Sequence, residues 1–125
     1  MDKEYIISIV GIQEIDGEKD KIEVITTGEY IEKNGHRYIK YKEYDNDNPS
    51  IVTDTVVKVE SDKKVTIMRY GPHKSRLILE KDVRHQCHYS TVMGDLMMGV
   101  YTSKIDHSLT DNGGEIKVKY QLDFF

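Results

Sequence analysis

The sequence holds no alanine and no tryptophan, a single cysteine and two prolines, and no apolar run long enough to cross a bilayer as a helix. Each absence excludes something. Alanine is the best helix former, so a chain of 125 residues without it, yet with 9 tyrosines and many Ile, Val and Thr, is expected to be sheet with very little helix. Cys87, alone, excludes an internal disulfide framework and fits a reducing compartment. The opening "MDKEYIISIVGIQ" sets acidic residues beside Lys3 and breaks its apolar stretch with polar ones, so neither a signal peptide nor a membrane span is read there, and the expected location is cytoplasmic. No excess of positive charge exists either: 18 Lys+Arg stand against 22 Asp+Glu for a net charge of -4, and the basic residues are scattered among acidic ones, which argues against a nucleic-acid surface. In Asn48-Pro49-Ser50 the proline blocks the only Asn-x-Ser glycosylation pattern.

What is present has a period of two. Ile116, Val118, Tyr120, Leu122 and Phe124 alternate with Lys117, Lys119, Gln121 and Asp123, as on a strand with one dry and one wet face. Ile22 and Val24 alternate with Lys21 and Glu23, and Val57 and Val59 with Lys58 and Glu60. Turn signals separate these runs: Asp16-Gly17, Asn34-Gly35, Asp45 to Ser50, Ser61 to Lys63, Gly71-Pro72 and Asp111 to Gly114. They predict strands at 4–13, 20–32, 36–44, 51–60, 64–70, 75–81, 85–93, 95–104 and 115–124. The expected fold is all-β: one domain over residues 1–125, a single antiparallel meander of about 8–9 strands closed into a barrel, since closure removes the edges of so long a sheet. No internal repeat, linker or low-complexity tract divides it.

At "ITTGEY", "YIKYKE", "VTIMRYG" and above all "RHQCHYSTVMGDLMMGVYTSKI" the sequence resembles the YwiB-like family of bacterial proteins, a domain of unknown function with a lipocalin-like (calycin-type) β-barrel. The resemblance runs in order over most of the chain. Its most characteristic part is Tyr89-x-Thr91-x-x-Gly94 followed by Thr102. It implies the barrel and an internal cavity, and transfers no activity or catalytic residue. Family members carry one more strand-like segment beyond the position of Phe124-Phe125, so the closing strand is expected to be missing, supplied by a neighbour, or dispensable.

Candidate chemistry concentrates in "RHQCHYSTVMGD". On a strand His85, Cys87, Tyr89 and Thr91 face one side while Gln86, His88 and Ser90 face the other, so the two histidines cannot share a metal. His85 with Cys87 would need a third zinc ligand such as His73, His107 or an acidic residue, and a small buried hydrophobe is the better reading of the cysteine. No metal or cofactor is expected. Cys87 in mid-strand lacks the setting of a nucleophile, and Ser90 lacks the Gly-x-Ser-x-Gly elbow, so catalysis is not expected. In "DNDNPS" Asp45 and Asp47 suggest calcium, but Ser50 and Val56 stand where an EF-hand needs glycine and glutamate, which leaves a solvated turn. Gly113-Gly114 precedes a strand rather than a helix and reads as a hairpin, not a phosphate loop.

Tyrosines at 30, 38, 41, 70, 89, 101 and 120 can bury a ring and keep a hydroxyl for a ligand, although packing is the commoner use. Met68, Met93, Met97 and Met98, with Leu96 and Val100, form a soft apolar group, and Leu96, Met98 and Val100 share a face. The expectation is a non-enzymatic barrel that binds a small, mostly apolar ligand inside, lined by Cys87, Tyr89, Met98 and Tyr120. The alternative is a filled barrel acting as an interaction module, with an edge strand joining a protein partner or a second copy.

Overall fold

Among the described residues nine strands follow one another without a helix: β1 (Glu4–Ile15), β2 (Glu18–Lys33), β3 (His36–Tyr44), β4 (Val52–Ser61), β5 (Lys64–Tyr70), β6 (Ser75–Glu80), β7 (Arg84–Thr91), β8 (Gly94–His107) and β9 (Ile116–Phe124). The structure, a computed structural model, describes residues 4–15, 17–45, 47–91 and 93–124. Asp16 and Phe125, singled out above, lie outside the described residues. Each strand pairs antiparallel with the next, giving one sheet in sequence order. The Asn34-Gly35 signal makes the turn it predicts, with φ of 55° and 79°.

Alternation is kept from strand to strand, so the ladder sorts inner-facing residues into rows. One row holds Ile39, Val57, Ile67 and Leu77, and the next holds Arg37, Val59, Val65 and Leu79. Cys87 sits opposite Met98 on β7 and β8, and His85 opposite Val100. These rows meet in a core of Val59, Val65, Leu77, Leu79, Cys87, Met98, Val100 and Ile105. Two irregularities let the sheet fold back onto itself. Between β6 and β7 a single pair, Ser75 with Tyr89, is in register, after which the strands part and the amide of Asp82 donates to the Thr102 carbonyl of β8 at 2.8 Å. In β8 the register slips between Thr102 and Lys104, and Ile105 thereby turns into the core.

The sheet curls as a half-barrel. The cost of exposed edges predicts a barrel closed on itself, but among the described residues no ladder joins β1 to β9. The two halves meet through core side chains instead of a hydrogen-bonded seam. A second tie links β2 and β3 to the loop between β8 and β9. The Tyr30 hydroxyl donates to the Thr110 carbonyl at 2.6 Å, and Arg37 donates to the Tyr30 hydroxyl at 2.9 Å and to Asp111 at 3.2 Å. Tyr5 of β1 packs edge-on against Tyr30, with ring centroids 5.4 Å apart. Near the same end His107 Nε2 lies 3.0 Å from Asp62 Oδ1, off the line of a hydrogen bond.

Gly28 marks a close approach of β2 to β3 and to Ile7 of β1. A Cβ there would run into the Lys40 carbonyl oxygen and crowd Ile7 and Tyr41. On the outer face Lys58 and Lys64 each reach Glu60 at 3.4 Å. Burial pushes the Glu60 carboxyl up, but the two ammonium groups outweigh it and hold it below its usual value.

If the hydroxyl of Tyr30 ties the β8–β9 loop to β2, Tyr30→Phe lowers the free energy of unfolding by about 1 kcal/mol, read from urea denaturation. A variant as stable as the parent would show that the tie contributes nothing.

Candidate functional site

Above the apolar rows, toward the loops that join β3 to β4, β5 to β6 and β7 to β8, the inner face changes character. The next row reads Tyr5, Gly28, Tyr41, Thr55, Arg69, Ser75, Tyr89 and Leu96, each opposite the next across eight strands. It is polar and aromatic where the rows below are aliphatic. Thr55 and Ser75, the two ladder neighbours of Arg69, are buried, and among the described residues their hydroxyls have no hydrogen-bond partner. The same holds of the buried Thr102 hydroxyl on β8. Arg69 Nε lies 3.4 Å from Glu43 Oε2, two residues beyond Tyr41 on the same face of β3.

Tyr41 is the centre of this belt. Burial raises the pKa of its phenol, the Glu43 carboxylate adds to the rise, Arg69 opposes it, and Tyr120 on β9 raises it further. The phenol stays protonated and able to donate.

All four residues expected to line a ligand lie on the inner face, as alternation requires. Cys87 and Met98, each 3% exposed, stand opposite each other within the core. Tyr89 packs against that core from the polar row. Tyr120, 40% exposed, is opposite Thr102 on the neighbouring strand β9. The structure thus groups Cys87, Met98 and Tyr89 and sets Tyr120 apart on β9.

Among the described residues no three of His, Cys, Asp and Glu come together as a metal set. His85 Nε2 lies 2.8 Å from Glu80 Oε1 in the gap between β6 and β7, while exposed His88 faces outward beside Ser90. The Asp45 carboxylate accepts the amides of Asp47 and Asn48 at 2.8 and 3.0 Å, which closes a solvated turn.

Two shallow depressions flank the β5–β6 loop. One, about 230 Å³, is lined by Glu43, Tyr44, Asp45, Ile51, Thr53, Pro72 and His73. The other, about 380 Å³, brings together Lys74, His88, Ser90 and Asp95. Ser90 is directly opposite Asp95 and two residues from His88, so the serine stands between histidine and aspartate. A hydrolytic triad needs the histidine in the middle, and no hydrogen bond joins these side chains among the described residues.

A family model described as a domain of unknown function (DUF1934) matches residues 7–124. The chain belongs to that family. It is 28% identical over 116 residues to the "Uncharacterized beta-barrel protein YwiB" of Bacillus subtilis (strain 168), an alignment covering 93% of this chain and 79% of that protein. The crystal structure of the Bacillus subtilis ywiB protein superposes with a TM-score of 0.79 at 28% identity, covering 96% of this chain and 80% of that one. The resemblance read from "RHQCHYSTVMGDLMMGVYTSKI" is therefore family membership, and the relative is a bacterial β-barrel protein by name. No helix of the structure is long and apolar enough to cross a membrane.

With Cys87 sealed in the core, Ellman's reagent should label the native protein only at the rate of unfolding, and at once in denaturant. Rapid stoichiometric labelling of the folded protein would mean that the β7–β8 wall opens.

Proposed function

We propose that this protein is a cytoplasmic, non-enzymatic, calycin-like domain that binds a small, mostly apolar molecule on the concave face of its half-barrel. The observation that carries this reading is a set of inner-facing side chains left open beside a sealed core. Leu79, Val100, Cys87 and Met98 are buried, while inward-facing Leu96 of the polar row and Tyr120 and Leu122, the β9 partners of Thr102 and Val100, remain substantially exposed. Inner-facing apolar groups left open on a concave wall, beside phenols and buried hydroxyls, are the mixture that small-molecule sites use. In this reading Tyr89 and Tyr120 touch the ligand, while Cys87 and Met98 form the stiff wall behind Tyr89.

Titration with the neutral fluorescent probe N-phenyl-1-naphthylamine tests it. Saturable one-to-one binding is expected, weakened about tenfold by Leu96→Lys and unaffected by Ile6→Lys on the outer face. Absent or unsaturable binding would overturn the reading.

The outer face favours a second reading, self-association through β1. Ile6, Ile12 and Ile25 on the outward side of β1–β2 are 82%, 68% and 69% exposed, and among the described residues β1 pairs with β2 alone. A second copy would cover the isoleucines and pair the free edge. Sedimentation should then show a dimer in the parent and a monomer in the Ile6→Lys, Ile25→Lys double variant. A parent that stays monomeric at every concentration would eliminate it.

A further inference from the structure

Resting on the concave-face reading, we propose that the ligand is an amphiphile carrying a carboxylate, received by Arg69 and the hydroxyls of the polar row, with its apolar part along Tyr89 and Leu96.

The row supplies the groups in spatial order. Arg69 is opposite Thr55 on one side and Ser75 on the other; Ser75 is opposite Tyr89, and Tyr89 opposite Leu96. A molecule lying along this row passes from a guanidinium, over a hydroxyl and a phenol, to an aliphatic side chain. That is the polarity sequence of a carboxylic acid with an apolar tail.

The groups at the charged end have unused capacity. Thr55 and Ser75 are buried with hydroxyls that find no hydrogen-bond partner among the described residues, a state that in folded proteins marks a place for a bound molecule or water. Arg69 meets Glu43 through Nε alone, at a distance long for a charged hydrogen bond, and no bond to its two Nη groups is found among the described residues. Those two nitrogens present the planar fork that matches a carboxylate. Tyr41, inward on the same row and held protonated, adds a donor that favours an anion over a cation.

Glu43 has a definite place in this arrangement. It neutralises Arg69 in the empty protein, and an incoming carboxylate competes with it for the guanidinium. Removing its charge should therefore strengthen binding of an acid and leave a neutral analogue unaffected, an outcome that a purely structural ion pair would not give.

The experiment compares cis-parinaric acid with its methyl ester, by fluorescence, on the intact protein. The acid is expected to bind about tenfold more tightly than the ester. Arg69→Gln should abolish that preference, with circular dichroism confirming that the sheet is retained. Glu43→Gln should raise the affinity for the acid several-fold and leave the ester unchanged, and this gain does not depend on the folding of the arginine variant. Equal binding of acid and ester by the parent would overturn the carboxylate inference while the concave-face reading stands. Loss of acid affinity in Glu43→Gln would also overturn it. If neither probe binds, the concave-face reading fails and the inference with it.

Discussion

One guanidinium holds the curl of this sheet across the side where no ladder does. Arg37 reaches Tyr30 on the neighbouring strand and Asp111 on the β8–β9 loop, and Glu32 lies 3.5 Å away. Partial desolvation works against its charge, but the Tyr30 hydroxyl, Asp111 and Glu32 together raise its pKa, so it remains a cation at every pH at which the protein folds. Single exposed ion pairs contribute little. Here the same cation also orients the phenol that donates to Thr110, so the ion pairs and the hydrogen bond share one geometry. Without it, the β8–β9 loop would be held to β2 by the Tyr30 hydroxyl alone, with no cation to orient that phenol.

The core and this tie divide the interior by depth. Near the tie the inner face carries Tyr30, Arg37 and the Thr110 loop; in the middle it is filled by aliphatic residues; beyond them it carries the Tyr41, Thr55, Arg69, Ser75 and Tyr89 row. A packed middle layer limits any ligand to the outer end of the concavity. It also gives that row a rigid floor. The distances among Arg69, Ser75 and Tyr89 are then set by ladder register rather than by mobile loops, which is the condition for a selective polar site.

Much of this was legible in the chain. The nine strands lie within two or three residues of the segments marked by alternation and by turns such as Asn34-Gly35, because a half-buried strand has to write its period into the sequence. The facing of His85 and Cys87 away from His88 followed from the same period. Three features did not follow. The slip at Thr102–Lys104 breaks the alternation in mid-strand, so β8 runs on to His107 and delivers Ile105 to the core where sequence reading ended the strand at 104. The parting of β6 from β7 depends on tertiary packing that no local pattern encodes. Closure was inferred from the cost of exposed edges, whereas the core and the Arg37 tie curl the sheet without joining β1 to β9. The polar row left a signal that reading each motif alone passes over. Tyr41 is in phase with Ile39, Thr55 with Val57 and Val59, Arg69 with Val65 and Ile67, and Ser75 with Leu77 and Leu79. Four consecutive strands each place a polar residue at the same end of their apolar phase, and only their mutual register shows that these ends adjoin.

The same argument from phase applies to β1 and gives a different answer. Tyr5, Ile7 and Ile9 face inward by register, yet Ile6, Val10 and Ile12 occupy the alternate positions and face out. A strand with apolar residues in both phases has the pattern of one covered on both faces, not of an edge with one face in water. The β9 strand shows the contrast, since Lys117, Lys119, Gln121 and Asp123 fill its outward phase. Burial of the outer isoleucines against a second copy would leave the inward residues of β1 and the whole of the polar row untouched. Association through β1 and ligand binding on the concave face therefore use opposite sides of one sheet, and neither excludes the other.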